Sequence, residues 1–371
     1  MKHIVYMDHN ATAPLRAEAR EAIMATLDLG GNPSSVHSAG RKARRVVEDA
    51  RELVRAAVHA PKTAQVIFTS GGTEANTLAL NGVTRALTSS AEHASILKAR
   101  DDMETVPVDG NGKIDLGHLQ DSLSNGDGNA VVSVMMANNE TGVLQNINDI
   151  AHLAHRYGAL LHVDAVQALG KVHVDFVALG VDMMSLSAHK VGGPTGAGAL
   201  VASKDVKLVA NNPGGGQEGG LRGGTENVSG LAGFGVAAGM AVAELAEMDA
   251  VKILRDQLEQ RVLEIAPNAM IFGKNVDRLP NTSFIALPGV LAESQIMAMD
   301  LAGICVSAGS ACSSGKSLAS ATLAAMGVPE TLAKSAIRVS LGHSNVNDDI
   351  ESFLSVWKDL YERNEAKQSA A

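Results

Sequence analysis

The chain is short of cysteine, of excess positive charge and of long uncharged runs, and each shortage excludes something. Two cysteines in 371 residues cannot build a disulfide framework, and they fit a reducing, cytoplasmic compartment. The 31 Lys and Arg are outnumbered by 40 Asp and Glu, and a net charge of −9 argues against bulk binding to nucleic-acid phosphates. The N-terminus reaches Asp8-His9-Asn10 before any apolar core of useful length, so no signal peptide is expected. One uncharged segment, residues 227–243, has 17 residues, the short limit for a membrane span, and Gly230, Gly233, Gly235 and Gly239 dilute it. It reads better as a buried helix packed closely on other helices. Internal repeats are not visible.

What the chain does have is length for two domains, 46% hydrophobic residues and 37 glycines, which point to many tight turns. Apolar runs predict strands at residues 4–7, 66–69, 130–135, 160–164, 181–186 and 197–201. Helices are expected from Pro14, over about 41–58, from the Ser70–Glu74 turn through Leu87, over 147–157 and over 226–247. In the second of these, Val46, Val47, Ala50, Leu53, Val54 and Ala57 recur on one face. A hairpin-like region fills the interval before Ala130. Strands alternating with helices imply an α/β fold whose sheet is largely parallel and covered on both faces. From about Asp249 the pattern becomes helix 251–265, strands 269–272 and 282–286, helix 292–301, strand 304–307, a small-residue loop, strand 337–341 and helix 348–361. That reads as a smaller α+β unit completed by the N-terminal strand, with residues 364–371 a polar, frayed tail. The expected division is 15–248 for the large domain, and 1–14 with 249–371 for the small one.

Several apolar runs stop abruptly in chemistry. Ser187-Ala188-His189-Lys190 follows one, Asp164-Ala165-Val166-Gln167 another, Asn138-Asn139-Glu140-Thr141-Gly142 a third, and Ser70-Gly71-Gly72-Thr73-Glu74 a fourth. Ligands of such sheets bind outside the strand C-terminal ends, where all four clusters fall. A lysine and an aspartate at neighbouring strand ends are the minimum for pyridoxal phosphate, an amine for a Schiff base and an anion for the pyridinium nitrogen. Taken alone, each reads more readily as a surface lysine or a helix-capping aspartate. Gly71-Gly72-Thr73 before a helix suits a single phosphate, and its spacing fits neither a dinucleotide fingerprint nor a P-loop. Thr225 precedes a long helix and is a second position suited to an anion. Arg338, a cation in an apolar strand, needs a partner that is either a substrate carboxylate or a structural anion. Cys305 sits in an apolar run, whereas Cys312 sits in the small polar stretch 308–315, where a thiol is either a reactive group or an inert loop cysteine.

Assembled, these motifs resemble the cysteine desulfurases, pyridoxal-phosphate enzymes of the class V aminotransferase type. The resemblance runs from Tyr6-Met7-Asp8-His9-Asn10-Ala11-Thr12 to about Leu341-Gly342. It includes Glu92-His93, Arg222-Gly223-Gly224-Thr225-Glu226-Asn227 and Gly309-Ser310-Ala311-Cys312. It implies fold type I, with a mostly parallel seven-stranded sheet and a small α+β C-terminal domain. Its implied cofactor is pyridoxal 5'-phosphate, its substrate L-cysteine, and its assembly a homodimer. By the same resemblance Lys190 binds the cofactor and moves the α-proton, Asp164 pairs with the pyridinium nitrogen, and Gln167 bonds the phenolic oxygen. His93 stacks on the ring. Gly72, Thr73, Ser187 and His189 hold the phosphate, joined by Thr225 from the second subunit. Asn139 and Arg338 anchor the substrate carboxylate. Cys312 is the nucleophile that takes up sulfur as a persulfide, and a transient iron–sulfur ligand shared with a scaffold partner. The acceptor implied is a protein such as an iron–sulfur scaffold, with tRNA thiolation a further destination. Three departures, Ala13, Gly192 and Thr195, carry no essential role. The C-terminus is shorter than in members that dock a scaffold through it, which leaves the acceptor open. A β-lyase for selenocysteine or cysteine sulfinate, a small-substrate aminotransferase and a non-catalytic sulfur-assembly subunit are the alternatives.

Overall fold

The structure is a computed structural model that describes residues 4–126, 129–309 and 320–369. In chain order its elements are β1 (Val5–Tyr6), α1 (Ala17–Leu27), α2 (Ser38–Ala57), β2 (Gln65–Thr69), α3 (Gly72–Leu80), β3 (Arg85–Ser89), α4 (Ala94–Leu97) and β4 (Glu104–Val106). Next come α5 (Leu116–Ser124), β5 (Ala130–Met135), α6 (Ile147–Arg156), β6 (Leu160–Asp164), β7 (Met183–Ser187), β8 (Gly198–Ala202) and α7 (Val228–Ala243). The remainder is α8 (Met248–Ile265), β9 (Met270–Ile271), β10 (Thr282–Ala286), α9 (Ala292–Ala302), β11 (Ile304–Cys305), α10 (Ala321–Ala325), α11 (Glu330–Ala333), β12 (Ala336–Ser340) and α12 (Asn347–Ser369).

Seven strands form one sheet in the order β2-β8-β7-β6-β5-β3-β4. Every pairing is parallel except those of β8, which runs against both β2 and β7. Being antiparallel to both neighbours, β8 leaves β2 and β7 pointing the same way. The C-terminal ends of β2, β5, β6 and β7 therefore share one edge. Strands β5, β7 and β8 are buried along their whole length, as near-continuous apolar runs require when helices cover both faces. On one face α2 buries Ala43, Val47, Ala50, Val54 and Ala57. It lies so close to α7 that a Cβ on Gly235 would stand 2.8 Å from the Ala50 Cα, so glycine there is a packing requirement. Leu53, expected on that face, is 41% exposed. Among the described residues no single helix is long and apolar enough to cross a membrane; α7 and the helical stretch Leu245–Ile265 pass such a test only as a pair bent by 56°.

Several boundaries differ from expectation. The helix after the Gly72 turn ends at Leu80, because Gly82 takes a φ of +72° and Asn81 donates to the Val209 and Ala210 carbonyls. Leu87 lies instead in β3, paired in parallel with both β4 and β5, so the supposed hairpin is strand, helix, strand, helix. A short apolar run carries no periodicity that separates these readings. Helix α1 starts at Ala17 rather than Pro14, since Arg16 is held extended with its backbone N–H donating to the Gly192 carbonyl. The 226–247 helix begins two residues later and stops at Ala243, before a 3-10 turn. Finally, α12 continues through the supposed frayed tail to Ser369, where buried Asn364 donates to the Pro288 carbonyl.

The C-terminal elements make a second apolar core. Strand β10 pairs antiparallel with β12 and β9, and β1 pairs parallel with β11. Met7, Leu258, Val262, Ile285, Met299, Ile337, Phe353 and Trp357 fill it. Trp357 is fully buried and stacks on Phe353 at 5.9 Å. Trp357→Ala is expected to destabilise the protein by about 3–5 kcal/mol, the range for truncating a large buried aromatic. Urea unfolding measures this; a loss of less than about 1 kcal/mol would place the indole outside the core.

Candidate active site

The shared strand edge opens into a cavity of about 230 Å³. Its lining includes Gly72, Thr73, His93, Asn139, Asp164, Gln167, Ser187, His189, Lys190 and Arg338, so ten of the twelve expected site residues converge there. Thr225 is not among the lining residues. It lies before α7, whose N-cap is Asn227, accepting from the Gly230 amide at 3.1 Å. Cys312 lies outside the described residues. Cys305 is half-buried, and burial, Asp300 and Asp8 all push its thiol pKa up, away from the thiolate form.

One wall of the cavity is an anion cradle. Strand β2 ends at Thr69, and α3 begins at Gly72 with its first amides unpaired by the helix itself. A Cβ on Gly72 would sit 2.7 Å from the Val166 Cγ2, so only glycine lets the helix start this close to the loop after β6. The Ser187 hydroxyl beside it is buried and without a hydrogen-bond partner. An orphaned hydroxyl at a helix N-terminus is a donor set for an anion.

The same cavity holds the amine. The Lys190 Nζ donates to the carbonyls of Asn10 at 2.6 Å and Ala11 at 2.8 Å. Asn10 is also where Gln167 Nε2 donates, to the same carbonyl at 2.9 Å. A second lysine stands behind them: Lys171 Nζ donates to Asn10 Oδ1 at 2.9 Å and Gln167 Oε1 at 2.6 Å. Burial, then the charges of Lys190 and Arg338, push the Lys171 amine well below the usual lysine range. By taking both amide oxygens, Lys171 fixes which end of Gln167 and Asn10 donates. The His189 ring is neutral, its pKa lowered to about 4 by burial, Lys190 and Lys171.

The carboxylate is equally fixed. Asp164 Oδ1 accepts from the Val166 amide at 2.9 Å, and Oδ2 from Asn76 Nδ2 at 2.8 Å. The same Asn76 nitrogen donates to Ser95 Oγ at 2.9 Å, and Ser95 Oγ lies 2.8 Å from His93 Nδ1. That nitrogen also accepts from the Ser95 amide at 3.1 Å, so it carries no proton and the ring proton sits on Nε2. Burial, the largest effect, lowers the His93 pKa and agrees with a neutral ring.

Arg338, with 2% of its side chain exposed, already has an anion: Nη2 donates to Asp8 Oδ1 at 2.8 Å, and Nη1 to the Asn139 carbonyl at 2.9 Å. Its Nε has no partner. Both readings of this cation thus meet, a structural ion pair and a guanidinium facing the cavity. Sequence reasoning missed Asn10, Asn76, Ser95 and Lys171. Lys171 alone had a signal, its four-residue spacing from Gln167.

An amine, a fixed carboxylate and an anion cradle on one sheet edge define a class of enzyme. Residues 5–353 match the model of the class-V aminotransferases, and the chain belongs to that family, with the fold-type-I architecture. Within it the relatives are cysteine desulfurases. A cysteine desulfurase of Cereibacter sphaeroides is 43% identical over 95% of this chain and 94% of its own length. A NifS-like protein from Rickettsia africae superposes with a TM-score of 0.92 at 37% identity, covering 97% of this chain and all of the other. SspA, solved in complex with cysteine, superposes with a TM-score of 0.78 at 28% identity, over 92% of this chain and all of the other.

Glu92 gives the site a pH signature. Its carboxyl is buried, bonded to Ser89 Oγ at 2.6 Å and the Met135 amide at 2.7 Å. Burial, with the Asp164 charge adding, pushes its pKa from 4.5 up to about 8. Between those two values the folded chain therefore holds a proton there that the unfolded chain has lost, and stability falls as pH rises. Glutamine reproduces the protonated form without titrating. Glu92→Gln should gain stability relative to the parent as pH rises from about 5 to about 8, measured by urea unfolding; parallel profiles would refute a protonated Glu92.

Proposed function

We propose that the chain is a pyridoxal 5'-phosphate-dependent cysteine desulfurase, converting L-cysteine to L-alanine and passing the sulfur, as a persulfide on Cys312, to an acceptor protein. An iron–sulfur scaffold is the acceptor the reading favours, in the cytoplasm. One observation carries it: the Lys190 amine, the Asp164 carboxylate and the unpartnered Ser187 hydroxyl beside the α3 N-terminus line a single cavity. The residues fit the cofactor at each end. The cradle of Gly72, Thr73, Ser187 and His189 would hold its phosphate, Asp164 its ring nitrogen, Gln167 Nε2 its phenolic oxygen and Lys190 its aldehyde carbon. When bound, this cofactor supplies an electron sink for the carbanion that α-proton loss leaves behind.

The protein does the rest. Lys190, bonded at rest to two carbonyls, has an amine in place to take the α-proton and return one. Asp164, held at both oxygens, presents its negative charge in one orientation. His93, neutral with its proton on Nε2, is a donor at the cavity wall and stacks without adding charge. Arg338 and Asn139 hold the substrate carboxylate, and the orphaned Arg338 Nε is a donor free to take part. The Cys312 thiolate then attacks the substrate sulfur: an S–S bond forms as the C–S bond breaks, the C–S electron pair stays with the carbon fragment, and that carbon takes up a proton so that the fragment leaves as alanine. The proposed large domain, 15–248, supplies the cavity, and the small one, 1–14 with 249–371, brings Arg338 and Cys312. Thr225 would complete the phosphate cradle from the second subunit of a homodimer.

Cys312→Ser should retain cofactor and bind cysteine but release no sulfide; alanine turnover at the parental rate would remove Cys312 from the reaction. Lys190→Ala should lose the absorbance band of the covalently held cofactor, and a retained band would move the attachment to another amine. Assays of L-selenocysteine beside L-cysteine, with and without Cys312, separate the lyase alternative.

A further inference from the structure

Away from the cavity, the turn that ends α2 meets the segment leading to β7 at the surface. The two are tied by backbone, the Phe176 amide donating to the Val58 carbonyl at 2.8 Å. His59 follows Val58 with a φ of +52°, a left-handed backbone that histidine enters more readily than most side chains. That turn brings the His59 ring beside His173, with centroids 5.3 Å apart. His59 Nδ1 lies 3.2 Å from the Val174 carbonyl oxygen. A carbonyl can only accept, so the ring proton is on Nδ1 and Nε2 keeps its lone pair. Metal-ligating histidines are typically held this way, the second nitrogen donating to a backbone carbonyl. Asp175 is also fixed: one oxygen accepts from the Val177 amide at 3.0 Å and the Ala178 amide at 2.8 Å. Ligand-capable atoms of His59, His173 and Asp175 all lie within 4.8 Å of one another.

We propose that these three side chains form a site for a divalent metal of the zinc class, with the fourth position left to water. Two imidazoles and a carboxylate are donors that such ions take, whereas calcium and magnesium select oxygen alone. Ligands about 2.0–2.1 Å from a tetrahedral zinc stand roughly 3.3 Å apart, so the two exposed histidines need only small side-chain rotations to close on an ion. None of the three lines the catalytic cavity, and the site is independent of the reaction proposed above. The ion cross-links the end of α2 to the segment before β7, two pieces of chain that cover the same sheet.

Zinc chloride titrated into the holoenzyme, read by calorimetry and by thermal unfolding, tests the site. His173 makes no hydrogen bond among the described residues, so His173→Ala removes a ligand without removing a hydrogen bond. Because thiols and cofactor also bind zinc, the readout is the difference between parent and variant. The parent should take up one more equivalent, and its unfolding temperature should rise with zinc where that of the variant does not. Affinity at the site should fall by more than about tenfold in His173→Ala, and His173→Cys, which restores a donor, should recover it. Equal stoichiometry and equal thermal response in parent and His173→Ala would overturn the proposal. So would a difference seen only at millimolar zinc, which means an adventitious ion only.

Discussion

A lysine amine placed in a protein interior has no acceptor of its own and must find them. In this fold Lys190 finds them on the N-terminal loop, at the carbonyls of Asn10 and Ala11. The Asn10 carbonyl takes Lys190 and Gln167, and its side-chain oxygen takes Lys171 and Asn281. Its side-chain nitrogen reaches Thr282 on β10, and its amide reaches Ser340 on β12. Asn10 therefore ties the edge of the seven-stranded sheet to the C-terminal core, and the position of the reactive amine depends on both. An unmet buried donor in this group would carry a penalty of about 1–3 kcal/mol, so the network is held as a whole.

Burial also decides which groups near the cavity carry charge. His9 and His189 are held neutral, their pKa values lowered to about 4. His162, sandwiched between Ser133 and Ser185 across three adjacent strands, is driven to about 3. Glu92 is driven the other way and keeps its proton. Asp164 receives an N–H donor on each oxygen, from the Val166 amide and from Asn76.

The legible parts of this protein were those written locally. An apolar run that breaks into Thr69-Ser70-Gly71 or Ser187-Ala188-His189-Lys190 announces both a buried strand and a functional end, because a parallel strand has no polar face on which to hide such residues. Helix α2 was legible from its periodicity, apart from Leu53. The alternating pattern likewise indicated the parallel sheet. What could not be read was written across the chain. Asn76 is one of four polar residues in α3, beside Thr73, Glu74 and Thr77, and its role appears only when α3 lies over β6. Asn10 and Lys171 are 161 residues apart. Strand β3 is five residues long and has no alternation, so only its neighbours β4 and β5 define it.

The reversed strand explains why the cavity has the wall it has. Were β8 parallel to β7, the edge beside β2 would receive the C-terminal end of another strand. Running the other way, β8 brings its first residue, Gly198, opposite both Thr69 and Ser187. A Cβ there would lie 2.6 Å from Gly71, so the glycine lets the turn into α3 settle directly against the end of β7. The helix N-terminus and the Ser187 hydroxyl then face one space instead of two. One antiparallel strand thus brings an anion cradle and an amine, set three residues apart along the chain after β7, onto the same pocket.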